Sequence, residues 1–214
     1  LSTFISLTII SCGSSDDGST STDNTTTSPW TKQLGTSSSD GGSGVTTDSS
    51  GNVYVTGYTL GGLDGNTNSG SYDMFLVKYN SSGTKQWTKQ LGSSGWDWGN
   101  GVTTDSSGNI YVTGYTNGGL DGNTNSGYGD IFLVKYNSSG TKQWTKQLGT
   151  SSSDSGNGVI TDSSGNIYVT GYTLGGLDGN TNSGSYDMFL VKYNSSGTKQ
   201  WTKQLGTSKG DYGR

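Results

Sequence analysis

Short runs of alternating apolar and polar residues, separated by glycine-rich polar stretches, recur along this chain on a fixed period. Trp30, Trp87, Trp144 and Trp201 each open the run Trp-Thr-Lys-Gln-Leu-Gly, and they stand 57 residues apart. A spacing of that size marks a repeat architecture, in which each unit is one supersecondary element that cannot bury its apolar surface alone. In the unit that starts at Trp87, residues 85–91 and 102–105 read as strands on either side of a polar loop, 92–101, which carries Trp96 and Trp98. Asp105-Ser-Ser-Gly108-Asn109 predicts a tight turn: the Asp carboxylate can accept backbone N–H groups two residues on, and Gly108 can take positive φ. A strand over 110–115, a long Gly/Asn loop over 117–130, a strand over 131–136, a turn at 137–140 and a strand over 141–148 complete the unit.

Four short strands joined in sequence form an antiparallel meander. Ile110 and Val112 point to one side, and Tyr111, Thr113 and Tyr115 to the other. A sheet with two faces to cover finds that cover by stacking on its own copies, so the predicted fold is all-β, an arc of β-propeller blades. A β-helix, the competing solenoid, needs far fewer than 57 residues per coil. Three units, 30–86, 87–143 and 144–200, are followed by a further strand and a partial unit over 201–214. Three blades and a strand do not close a ring, which typically takes four to eight. The expectation is therefore a fragment of a larger ring, with further blades in the full-length chain.

At this point the residues carry a resemblance. The run from Gly108 to Thr116, together with Asp130-Ile-Phe-Leu-Val-Lys-Tyr136 and the following Ser139-Gly-Thr-Lys-Gln-Trp144, resembles the bacterial β-propeller repeat called SBBP, over residues 30–206 in three copies. The resemblance implies an architecture and no reaction.

Composition sharpens the picture. Leu, Ile, Val and Phe together make up 35 of the 214 residues, a level that usually warns of disorder. That warning assumes high net charge, and here the charge is −4, while thirteen Tyr and six Trp offer aromatic area in place of aliphatic. The chain has no His, no Glu and no Ala. Ser-His-Asp and Cys-His catalysis are thereby removed. Paired aspartates could hydrolyse glycosides, but Asp48, Asp64 and Asp73 recur in every unit, as structural positions do, and the expectation is no enzyme. Isolated lysines and a pI near 4.5 argue against nucleic acid as a partner.

At the N-terminus, an apolar-leaning run ends at Ile9-Ile10-Ser11-Cys12, which resembles a lipobox. Residues 1–11 are read as a signal-peptide remnant, Cys12 as the lipidated first residue of the mature protein, and 12–29 as a disordered Ser/Thr/Asp tether. Ser15-Asp16-Asp17 resembles a signal for export to the outer face of a Gram-negative outer membrane. The expected location is that membrane, lipid-anchored and facing outward.

Two sets of residues stand out as candidate sites. The long loop of each unit places oxygen side chains at alternate positions of a Gly-rich segment, in partial likeness to the opening of an EF-hand loop. The ligands for calcium would be Asp64, Asn66, Asn68 and Asp73; Asp121, Asn123, Asn125 and Asp130; and Asp178, Asn180, Asn182 and Asp187. The competing reading is a turn in which these side chains satisfy their own backbone. The second set is Trp96, Trp98 and Tyr128, found only in the middle unit, which would offer a stacking surface to a glycan. The function expected from the whole is a non-catalytic, lipid-anchored surface propeller that binds a protein or glycan or acts as a scaffold. The alternatives are a purely structural spacer and the non-catalytic part of an enzyme whose catalytic domain lies beyond Arg214.

Overall fold

The computed structural model describes residues 29–213 and the short strand Leu7–Thr8. It contains three four-stranded antiparallel sheets, each a simple meander. Two short strands, β1 (Leu7–Thr8) and β2 (Thr31–Lys32), pair separately. The first blade is β3 (Asp40–Thr47), β4 (Val53–Thr59), β5 (Asp73–Tyr79) and β6 (Lys85–Leu91). The second is β7 (Asp97–Thr104), β8 (Ile110–Thr116), β9 (Asp130–Tyr136) and β10 (Lys142–Leu148). The third is β11 (Asp154–Thr161), β12 (Ile167–Thr173), β13 (Asp187–Tyr193) and β14 (Lys199–Leu205). The blades form an arc and do not close into a ring. The expected signal remnant, Cys12 and the tether lie outside the described residues, apart from Leu7–Thr8 and Pro29.

The structural unit is displaced from the sequence unit. The strand beginning near Trp87 is the outer edge of the first blade, not the opening strand of the second, because β6 pairs with β5. The innermost strand also starts earlier than periodicity indicates. It was expected over 102–105, but β7 begins at Asp97, so Trp98 lies on a strand and not in a loop. The Gly-rich composition that reads as a loop has a steric cause: β3, β7 and β11 pack side by side. A Cβ on Gly101 would meet Asn157 O at 2.8 Å, and one on Gly44 would meet Asn100 O at the same distance.

The hairpin turns follow the predicted chemistry. Asp48 Oδ1 accepts the amides of Ser50 (2.9 Å) and Asn52 (3.0 Å), and Oδ2 accepts the Asn52 side chain and the Tyr54 hydroxyl (2.9 Å). Gly51, at the tip, has φ of 75°. The same clamp recurs at Asp105 with Tyr111 and at Asp162 with Tyr168.

Between blades the core is apolar. Tyr54, Met74 and Leu76 of the first blade, with Trp87 and Leu91 beside them, pack on Val102, Ile110, Val112, Phe132, Val134 and Tyr136 of the second. Tyr111, Ile131 and Leu133 meet the third blade in the same way, at Val159, Ile167, Val169 and Phe189. The outward face of the third blade is bare: Ile160 is 64% and Leu205 71% exposed.

Candidate ligand-binding recess

Each innermost strand starts at an anchored aspartate. Asp97 is buried, its carboxylate accepting the Ser93 amide (2.6 Å), the Ser93 hydroxyl and the Thr116 hydroxyl. Burial raises its proton affinity above the ordinary value; the Thr116 and Ser93 bonds act against that, and the nearby Asp73 charge reinforces it. Asp154 is held and shifted in the same way by burial, Thr173, Thr150 and the Asp130 charge. The residue after each anchor is therefore fixed in place. At equivalent positions these residues are Gly41, Trp98, Ser155 and Tyr212.

In the second and third blades, the ladder pairs that residue with a tyrosine on the neighbouring strand, Trp98 with Tyr115 and Ser155 with Tyr172. At the junction of first and second blades, Trp98 fills the space between Tyr58 (5.7 Å between ring centres), Tyr72 (6.0 Å) and Tyr115 (6.0 Å). Trp96 stacks on it, nearly parallel, at 5.9 Å. Beyond the third blade, Tyr212 fills the corresponding space against Tyr172 (5.5 Å) and Tyr186 (4.9 Å). The junction of second and third blades lacks these rings. Ser155 stands for Trp98, Ser153 for Trp96 and Gly129 for Tyr72.

The result is a recess of about 420 Å³, lined by Trp96, Trp98, Asn100, Tyr115, Ser153, Ser155, Asn157 and Tyr172. Asn100 and Asn157 are each the extra residue of a β-bulge, out of the ladder between Gly99 and Gly101 or between Gly156 and Gly158. Asn100 Nδ2 donates to Gly156 O (2.9 Å), and Asn157 Nδ2 to Gly213 O (2.8 Å). Among the described residues, the lining carries no charged side chain. The Trp98 indole N–H is buried and without an acceptor.

The structure treats the predicted residues unequally. Trp96 and Trp98 fall together in the recess wall. Tyr128 does not line it; its ring is 80% exposed, and its carbonyl accepts the Tyr115 hydroxyl (3.1 Å). The loop side chains are engaged separately, although Oδ1 of Asp73, Asp130, Asp187 and Asn125 is buried without a hydrogen-bond partner. Asp64, in the left-handed region at φ of 49°, pairs with Lys85 and accepts the Thr88 hydroxyl. Asn66 donates to Leu63 O (2.7 Å), and Asn68 to Ser71 O (3.0 Å). Asp73 is buried, accepting the Ser69 amide (2.8 Å) and the Gln90 side chain (3.0 Å). Asp121 and Asp178 keep the equivalent lysine pairs, Asn123 and Asn180 the same carbonyls, and Asp130 and Asp187 the same Ser and Gln partners. Asn125 and Asn182 also donate to backbone, at Asn117 O and Leu174 O. Among the described residues, no three acidic, His or Cys side chains are grouped to hold a metal. Nor is any described helix long and apolar enough to cross a membrane.

Comparison with known proteins agrees with this geometry. A profile of the SBBP β-propeller repeat matches residues 30–64, 86–121 and 143–178, together 107 of the 214 residues. The chain belongs to the SBBP β-propeller repeat family. It is also similar to a WD repeat-containing protein of Acanthamoeba polyphaga mimivirus, described as uncharacterized, at 27% identity over 83% of this chain and 16% of that protein. A regulatory protein of Caulobacter vibrioides, FlaEY, is 29% identical over 77% of this chain and 20% of its own length. The chain thus spans about a fifth or less of either relative. Tyr115, Tyr172, Asn100, Asn157 and the two serines were not picked out from the sequence as lining residues. Their signal was Ser155 and Gly129 at the repeat positions of Trp98 and Tyr72; that the missing rings leave a space depends on the ladder, which sets Ser155 opposite Tyr172.

Proposed function

We propose that these SBBP repeats form a non-catalytic binding module, and that its ligand enters the recess between the second and third blades. The supporting observation is the break in the aromatic packing: space filled by rings at two junctions is open at the third, between aromatic walls and amide side chains. Pockets of this size and mixed lining are where proteins bind small ligands or single residues of partners. The absence of His and Glu from the whole sequence supports binding without catalysis. Tryptophan emission provides the test, because Trp96 and Trp98 line the site. Titration with panels of neutral peptides, saccharides and aromatic compounds should yield at least one saturable change, abolished in Ser155→Trp. A panel that leaves the emission unchanged throughout counts against the recess.

In the same reading the module is held at the outer face of a bacterial outer membrane by lipid on Cys12. The support is the sequence Ile9-Ile10-Ser11-Cys12 and the polar stretch after it. Mass spectrometry of the mature N-terminus checks this: a diacylated or triacylated Cys12 is expected, and an intact Ser11–Cys12 peptide removes the anchor. For calcium, the hydrogen bonds of the long loops support the self-satisfied turn. Calcium at millimolar concentration, the weak extracellular range, is expected to leave Tm unchanged. A rise in wild type that Asp64→Ala, Asp121→Ala and Asp178→Ala together abolish would establish the loops as cation sites.

The bare face of the third blade supports a second reading, an assembly module. Trp201 and Leu205 there are equivalent to Trp87 and Leu91, which are covered by the second blade.

A further inference from the structure

We infer that the ligand of the recess is a neutral saccharide, with one pyranose ring occupying the volume that an aromatic side chain fills at the neighbouring junctions; this rests on the recess being the binding site. The shape carries the first step. At position 98 the space is closed by an indole and at 212 by a phenol ring; at Ser155 neither is present, and the recess of about 420 Å³ that results has room for a six-membered ring between the aromatic residues Trp98 and Tyr115 of one blade and Tyr172 of the next. The aromatic quadrupole presents a negative face, which attracts the partly positive C–H face of a sugar.

Charge carries the second step. Among the described residues every lining side chain is uncharged, and the aspartates behind the wall, Asp97 and Asp154, are fully buried and already bonded to Thr116 and Thr173. A phosphate, carboxylate or ammonium ligand would be desolvated with no countercharge, at a cost that burial of an unpaired ion always carries. A neutral ligand meets no such cost.

Hydrogen bonding carries the third. Asn100, Asn157, Ser153 and Ser155 surround the space with amide and hydroxyl groups. Polar groups that a ligand covers need partners in place of water, and ligand hydroxyls supply them. A purely aromatic ligand would stack on the walls but leave the amides and hydroxyls facing apolar edges. A sugar ring has both an apolar face and hydroxyl edges.

The test titrates the 214-residue chain with neutral tetrasaccharides of gluco, manno, galacto and N-acetylglucosamine configuration, by calorimetry and tryptophan emission. A neutral tetrapeptide and indole serve as other classes. At least one tetrasaccharide is expected to bind, with an affinity that does not change between low and high salt. Ser155→Trp, which restores the residue found one junction earlier, should weaken it more than tenfold. Trp96→Ala removes a ring that is 46% exposed and so does not threaten folding; it should weaken binding at least fivefold. No saccharide binding, or binding that both variants leave unchanged, overturns the inference. If the peptide or indole binds and Ser155→Trp blocks it while no saccharide does, the saccharide assignment falls and the recess stands as a site for another class.

Discussion

At the residue scale, the same few polar groups do the same structural work in each blade, and their protonation sets the response to acid. Asp48, Asp105 and Asp162 sit below the ordinary value of 3.8. For Asp48 and Asp105, burial is the largest influence and acts upward, but the bonds from Asn, Tyr and Ser outweigh it; for Asp162 the Asn166 amide is the largest influence. A carboxylate whose folded pKa is lowered stabilises the fold above its unfolded value and loses that contribution as pH falls through the folded one. Asp97 and Asp154, raised chiefly by burial, work in the opposite sense: their contribution is present in acid and is lost as pH rises through their folded values. Between about pH 5 and pH 3, Tm of a variant with Asp48, Asp105 and Asp162 changed to Asn should therefore fall less than that of wild type, or rise. Parallel curves would show that the clamps contribute nothing to acid sensitivity. The turns themselves were legible in the sequence, because Asp-Ser-Ser-Gly-Asn is a local motif, whereas the Asn side chain and Tyr hydroxyl that complete each clamp were not read from it.

At the scale of the element, the innermost strands were the least legible part of the fold. Asp97-Trp-Gly-Asn-Gly has the composition of a loop, since what makes it a strand is the nearness of the equivalent strands of adjacent blades. The glycines give way to those neighbours, and no local propensity reports a distant backbone. Gly101→Ala should for that reason destabilise by more than about 1 kcal/mol, as overpacking does. Gly179→Ala meets nothing within 4 Å but sits at φ of 77°, so its cost, about 1 kcal/mol, comes from conformation alone. Gly44→Ala, whose Cβ would meet Asn100 O at 2.8 Å, should lose about as much as Gly101→Ala. Equal costs at all three positions in denaturant unfolding would remove the crowding argument.

At the scale of the whole molecule, one sequence gives equivalent residues unequal surroundings. Leu91 and Leu205 occupy the same register position, opposite Met74 and Met188, yet Leu91 is packed against the second blade and Leu205 is open. Leu91→Ala should cost about 2 kcal/mol, and Leu205→Ala should stay within about 0.5 kcal/mol in the dissociated chain. The open face should also drive association. Sedimentation of the chain is expected to show oligomers at high concentration that Ile160→Lys with Leu205→Lys returns to monomer. A wild-type monomer at every concentration would mean that this face is not adhesive. The architecture was legible at this scale from the 57-residue period, and of the eight residues lining the candidate site two, Trp96 and Trp98, were singled out from the sequence. The rest was a set of missing rings, and an absence has meaning only relative to neighbours in space.

The offset between the sequence unit and the blade has a consequence for how such a chain can change in length. Because β6 closes a blade that begins at Asp40, and β10 one that begins at Asp97, a cut within a blade and a second cut 57 residues later remove material from two blades while leaving one whole blade of hybrid origin, and a cut between blades removes one blade entire. Loss of residues 87–143 would join Gln86 to Trp144 and leave a two-blade arc in which a native strand sequence follows the join. The coding sequence can thus lengthen or shorten by whole repeats at any phase without creating a frayed edge, and variation in blade number can proceed independently of variation in the blades themselves.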